Sequence, residues 1–185
     1  MRESVQKDSY SNLRHKEKEL MKVTVKVSRV SKVVKGGKRF NFSALVVVGD
    51  GKGRCGFGSG KAKEVASAVK KATDQASKNI IRVPLKEGRT FFHDILGKYG
   101  AGEVFIRSAK KGKGVIAGGT MRAIFDVMGV QDVVSKILRS NNPHNVVRAT
   151  FDAFKNMETP RLVMKKRDKK NNSDNLGKIL SGDDS

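Results

Sequence analysis

Two glycine-rich, lysine-bearing segments are where this sequence could handle a phosphate. The first, Gly51-Lys52-Gly53-Arg54-Cys55-Gly56, satisfies GxGxxG to the letter. That fingerprint works because a helix starts on the glycines and aims its N-terminal amides at a pyrophosphate. Here the segment joins two strand patterns, so the glycines read as turn residues. Lys61 follows Gly60, but Cys55 stands where a phosphate loop needs its first glycine and Ala62 where it needs Ser or Thr. Cys55-Gly56-Phe57-Gly58 likewise lacks the basic residue and later aromatics of the RNP1 pattern.

The second segment, Gly112 to Gly119, follows a strand pattern and precedes a helical one. Amides at a helix N-terminus bind anions, and Lys110, Lys111 and Lys113 would add charge around them. An enzyme would use this loop for a nucleotide phosphate, a nucleic-acid binder for a backbone phosphate. A kinase also needs metal-holding carboxylates and a positioned base. Asp94, Glu103, Asp126, Asp132 and Asp152 form no recognisable motif, and a small-molecule kinase-like protein stays as the alternative reading. His15, His93 and His144 are isolated, without metal-ligand spacing. Cys55 reads as a small core residue; as the lone cysteine it forms no internal disulfide.

What surrounds these segments is charge. The 185 residues carry 39 Lys and Arg against 18 Asp and Glu, a net +21 at a pI near 10.3. Such a field repels itself unless a polyanion supplies the opposite sign. Nucleic acid is the first candidate and an anionic membrane surface the second. No apolar run approaches the roughly 18 residues of a membrane span, and no basic amphipathic helix offers large apolar residues to lipid. The N-terminus has no apolar core segment and carries Glu3, Asp8, Glu17 and Glu19, which speaks against an organellar transit peptide. A soluble, cytoplasmic chain is expected. From Lys22 to Lys63 there are eleven basic residues and one acid, Asp50, a net of +10. With no Trp, two Tyr and nine Phe, many at periodic positions, little is left for base stacking. Structured RNA read through phosphates and shape fits better.

The elements that must position these charges follow from periodicity. Residues 1–20 read as a flexible arm, helical in character only near Leu13 to Met21. Val23, Val25 and Val27 alternate with polar residues as in a half-buried strand. A turn at Gly36-Gly37 leads to a second strand, Arg39 to Val48, and Gly49-Asp50-Gly51 marks another hairpin. A third strand, Arg54 to Gly58, precedes a helix from Lys61 to Asn79 with a face of Ala62, Val65, Ala66, Val69, Ala72 and Ala76. Ile80 to Leu85 contains Pro84 and is followed by Lys86-Glu87-Gly88, the expected domain boundary. Beyond it lie strand-like pieces at Thr90 to His93 and Glu103 to Ser108, then a helix from Thr120 stopped by Gly129. Asp132 is expected to cap a helix carrying Val133, Val134, Ile137 and Leu138, and Asn142-Pro143 to open another through Phe154. From residue 158 the chain reads as a tail, with one helical turn near Leu176 to Leu180.

Three strands followed by a helix with a basic start suggest a double-stranded-RNA-binding module. The segment VSRVSKVVKGGKRFNFSALVVVGDGKGRCGFGSGKAKEV (Val27 to Val65) closely resembles the bacterial-type S five family of small-subunit ribosomal proteins. GKGVIAGGTMRAIFDVMGVQDV (Gly112 to Val133) and SNNPHNVVRATFDAF (Ser140 to Phe154) are similar to that family's C-terminal domain. Cys55 departs from the aliphatic residue the family favours there, and a buried thiol packs similarly. The resemblance implies an α+β chain of two small domains. Residues 21–84 would form a three-stranded sheet plus helix, and 85–157 a two-layer α/β domain with a left-handed βαβ crossover. It also implies a structural, non-enzymatic place between body and head of the small subunit, without metal or cofactor. Contacts with rRNA, with small-subunit proteins four and eight and with mRNA where it enters the subunit are implied too, as is a share in translational accuracy.

On this reading rRNA meets Arg29, Lys32, Lys35, Gly36, Gly37, Lys38 and Arg39 at the first hairpin, Lys52 and Arg54 at the second, and Lys61 and Lys63 at the helix start. Lys110, Lys111, Lys113, Gly118, Gly119 and Arg122 supply a second anchor in the other domain. A non-ribosomal RNA-binding regulator would share all of these features.

Overall fold

The computed structural model describes residues 20–167. The valine alternation produces β1 (Met21–Val34), which returns through Lys35 and Gly36 into β2 (Gly37–Gly49). The corner comes one residue earlier than expected, because Gly37 already pairs with Val34, at φ +134°, a backbone state that suits glycine. β3 (Arg54–Ala62) pairs with β2, and β4 (Ile81–Arg82) pairs with β3 at Arg54 and Cys55. The sheet therefore has four strands in the order β1-β2-β3-β4, not three. The stretch just before the expected boundary supplies its edge strand, kept short by Pro84, which has no N–H to give.

β3 runs on past Gly58 to Ala62, so α1 (Val65–Lys78) begins later than expected. Lys61 and Lys63 therefore precede the helix instead of opening it. Ala44, Val46 and Val48 face Ala68, Ala72 and Ala76 of α1 in one cluster, while Leu45 and Val47 join a second cluster with the C-terminal half. Burial on both faces explains why Leu45 to Val48 is apolar at every position. Gly56, the last glycine of the GxGxxG pattern, lies inside β3 as the Arg54 to Gly58 strand predicts, and its role there is packing: a Cβ would stand 2.4 Å from the Ala76 carbonyl oxygen, so glycine lets α1 lie directly on β3.

In the C-terminal half, β5 (Ile95–Tyr99), β6 (Gly102–Ser108), β7 (Val115–Ile116) and β8 (Val133–Ile137) form a sheet in the order β5-β6-β8-β7. β7 and β8 are parallel and joined by α2 (Gly119–Met128), a βαβ unit. α2 ends at Gly129, φ +79°, whose N–H donates to the Phe125 and Asp126 carbonyls. α3 (Pro143–Lys155) opens as the sequence predicts: Pro143 is in its first turn, and the Asn142 side chain accepts from His144 N at 3.2 Å.

Two expectations fail here. Thr90 to His93 is no strand; Thr90 makes a single bridge to Lys86, Phe91 is buried, and the strand lies at Ile95–Tyr99. The helix expected after Asp132 is β8, a central strand between β6 and β7. A short apolar run fits either period, and its β-branched Val133, Val134 and Ile137 suit a strand. Residues 160–167 are helical, where composition suggested only a polar tail. Leu20 is not helical and Met21 opens β1, whereas Leu13 to Glu19 of the arm's expected helix and the turn near Leu176 to Leu180 lie outside the described residues.

The two halves meet through backbone as well as side chains. Gly51 N donates to Val127 O (3.0 Å) and Gly53 N to Met128 O (2.9 Å). The Phe57 and Phe151 rings meet edge-on at 4.6 Å, and Cys55 Sγ lies 3.7 Å from Met128 Sδ. Burial, with the Asp50 carboxylate adding to it, pushes the Cys55 thiol up to about 12, so it packs as an inert core atom.

Candidate nucleic-acid interface

β3 pairs with β2 only from Phe42 to Gly49, and beyond that point β1 and β2 continue alone. Residues 30 to 41 thus form a two-stranded ribbon projecting past the sheet. Its rungs include Lys32 opposite Arg39 and Val33 opposite Lys38, closed by Lys35 and Gly36. Side chains on one rung share a face, so Lys32 and Arg39 are like charges held side by side, a destabilising arrangement in isolation. Arg29, Lys32, Lys35, Gly36, Gly37, Lys38 and Arg39 are all exposed. At the ribbon's foot, Lys61 and Lys63 line one depression with Asn41 and Lys71. Lys71 escaped the sequence reading because only the packing of α1 on β3 brings it there.

Lys52 and Arg54 belong elsewhere. They sit at the opposite end of β2, whose 13 residues span roughly 40 Å at about 3.3 Å each. Asp50 organises that loop, its carboxylate accepting from Lys52 N (2.8 Å) and Arg54 N (3.1 Å), with Arg54 Nε 3.7 Å away. The +10 segment therefore divides into a ribbon cluster and a joint where the two halves of the molecule meet.

The second glycine-rich segment is not one phosphate loop. Gly112 (φ +88°) and Gly114 (φ +74°) make a turn bearing the exposed Lys110, Lys111 and Lys113. β7 then intervenes before α2 starts, with Gly118 as its cap residue, Gly119 first, and Arg122 exposed one turn in. An internal anion already occupies the turn: Gly114 N donates to Asp132 Oδ1 at 3.0 Å. Arg89 reaches the other oxygen, NH2 at 2.8 Å and Nε at 3.2 Å. The Gly114 amide and then Arg89 hold the Asp132 carboxyl below the usual carboxylate range. A group whose folded pKa is depressed stabilises the fold above its unfolded value and stops doing so as pH falls through the folded one. At pH 7 we expect Asp132→Asn to melt below the parent protein. The gap should close as pH falls below about 4, as read by thermal melts across pH 7 to 3. Lys86, Arg89 and Arg107, none of them expected from sequence, line a cleft with Lys110 and Lys111.

Ion pairing separates the two halves. Arg89, Lys98, Arg107 and Arg139 pair with Asp132, Glu103, Asp94 and Glu103. Of the expected contact residues, only Arg54 has an acidic partner among the described residues. His93 has both ring nitrogens engaged, Nδ1 with the Asp94 carbonyl and Nε2 accepting from Glu158 N. Burial, then Arg148, Lys26 and Lys61, holds His144 below its ordinary value. Among the described residues no three His, Cys, Asp or Glu side chains gather as a metal site, and no helix is long and apolar enough to cross a membrane.

Comparison with known proteins decides the family. Residues 20–84 match "Ribosomal protein S5, N-terminal domain" and residues 97–167 match "Ribosomal protein S5, C-terminal domain". A protein of Afipia carboxidovorans named small ribosomal subunit protein uS5 is 60% identical over 143 residues, 77% of this chain and 74% of that protein. The chain belongs to the ribosomal protein S5 family. S5 proteins of the same name are similar in Rhodopseudomonas palustris strain BisB18, 57% identical over 155 residues (84% of this chain, 82% of the relative), and in Ruegeria sp. strain TM1040, 60% over 146 (79% and 78%). The α+β architecture of two sheets with helices is that of S5, and its relatives carry the name of a ribosomal protein rather than that of an enzyme.

Proposed function

We propose that this chain is an architectural component of the small ribosomal subunit, gripping folded rRNA between body and head without catalysis of its own. One observation carries the reading: the ribbon holds Lys32 and Arg39 directly opposite each other, with no acid paired to them among the described residues. Repulsion of that kind is relieved when a phosphate lies between the two cations. Arg29, Lys35, Lys38, Lys61, Lys63 and Lys71 extend the same surface, with Gly36 and Gly37 letting a backbone approach the tip. Lys52 and Arg54 offer a contact at the far end of the sheet. Lys110, Lys111 and Lys113, with Arg122 and the amides of Gly118 and Gly119, form an anchor in the other half.

Neighbouring small-subunit proteins four and eight, mRNA where it enters the subunit and a share in translational accuracy complete the proposal. They are supported by membership of the family. The kinase-like alternative has less support, because the Gly114 amide already holds Asp132 and β7 separates the glycine turn from the helix start. Sedimentation of a lysate through a sucrose gradient tests the reading. This chain is expected in the small-subunit fraction, and recovery only at the top of the gradient would favour a free RNA-binding regulator instead.

A further inference from the structure

Phe40 does nothing for the fold that the rest of the structure requires. It belongs to neither core cluster and is 47% exposed, whereas Phe42, one pleat nearer the sheet, packs beside α1. The other phenylalanines among the described residues are buried or half-buried. No third strand flanks Phe40, because β3 starts pairing at Phe42. The guanidinium of Arg29 lies over its ring, 3.8 Å from the centroid. Val33, 73% exposed, and Lys38 are on the same face by register, and Val27, 41% exposed, continues that face where the ribbon joins the sheet. Lys32 and Arg39 occupy the opposite face. The ribbon thus has one side where Lys32 and Arg39 stand between Val30, Asn41 and Val34, and one side that presents an exposed ring and guanidinium next to cations.

The geometry points to Phe40 and Arg29 as a stacking platform for an unpaired nucleobase of the bound RNA, an inference that rests on the RNA-binding reading above. Bases in a duplex have their faces covered by their neighbours, so a ring and a guanidinium plane can receive only a bulged, looped or extruded one. Lys38 is placed to hold the phosphate beside that base. The cationic face of Lys32 and Arg39 would meanwhile rest on a second stretch of backbone, so that the ribbon is held between two RNA segments. Sequence composition argued against stacking because the phenylalanines looked committed to the core; the register of β1 on β2 frees this one.

The test uses the full chain and two short RNA duplexes identical except for a single bulged adenosine. The parent protein is expected to prefer the bulged duplex by roughly tenfold, within the range found when an aromatic platform is removed. Phe40→Ala should erase that preference while leaving affinity for the perfect duplex unchanged. Arg29→Lys should reduce it while keeping the charge. Because the chain has no tryptophan, Phe40→Trp adds a single reporter, whose emission should be quenched by the bulged duplex and not by the perfect one. Equal affinity of the parent for both RNAs, a preference that survives Phe40→Ala, a loss that is equal for both RNAs, or unquenched emission would each overturn the inference. Each of these leaves the phosphate-binding reading standing; a parent protein that binds neither RNA removes both.

Discussion

Gly58→Ala is expected to destabilise the protein by about 3 kcal/mol, the upper end of what overpacking a well-filled site costs. A Cβ at position 58 would stand 2.2 Å from the carbonyl oxygen of Ala72 and 2.5 Å from the amide nitrogen of Ala76. Both are backbone atoms of a regular helix, so no side chain can rotate away. Relief requires α1 to lift off β3, and Gly56 and Gly60 make the same kind of contact with Ala76 and Ala68, which pins the helix along its length. Urea unfolding should show a lower midpoint at an unchanged slope. Gly36→Ala is the control: nothing lies within 4 Å of its Cβ position, and a change within about 0.5 kcal/mol is expected. Equal midpoints for the two variants would mean that α1 does not rest on the glycine stripe.

That contrast also marks where sequence reasoning runs out. Gly36 and Gly58 look alike in a composition, and Gly56 shows in sequence only as the last glycine of a GxGxxG pattern. What separates them is the fit of one surface to another, Ala68, Ala72 and Ala76 at helical spacing against glycines at strand spacing, and the helix half of that match was visible as a small-residue face. Signals confined to one element were legible: Asn142-Pro143 as a cap and first turn, Gly129 as a stop, Lys32 to Arg39 as a charged hairpin. Signals that depend on neighbours were not. Val133–Ile137 is too short for its period to declare itself, and its place between β6 and β7 makes it a strand. Lys52 and Arg54 belong to the same run of charge as the ribbon in sequence, and only the length of β2 shows how far the second hairpin lies from the first. In sequence Asp132 has the form of a helix cap; its carboxylate does hold a backbone amide, but one across a loop, at Gly114.

Replacing Lys32, Lys35, Lys38 and Arg39 together by alanine should uncouple RNA binding from stability. Each cation that neutralises a phosphate adds about 0.9 to the log–log salt slope on B-DNA, and a similar increment is expected on duplex RNA. If most of the four make such contacts, the slope should fall by about 3. Affinity should drop by roughly a hundredfold or more near 0.1 M salt, with the greatest difference at low salt. The fold should not suffer. All four side chains are exposed, none is ion-paired among the described residues, and the Lys32–Arg39 rung is repulsive as it stands. Removing that repulsion predicts a melting temperature equal to the parent's or higher, since like charges directly opposite on a ladder destabilise by up to about 1 kcal/mol. A chain that becomes more stable as it loses its ligand is one whose surface charge serves the ligand and not the fold. An unchanged salt slope, or a lost slope accompanied by a lower melting temperature, would assign the ribbon's charges to some other task.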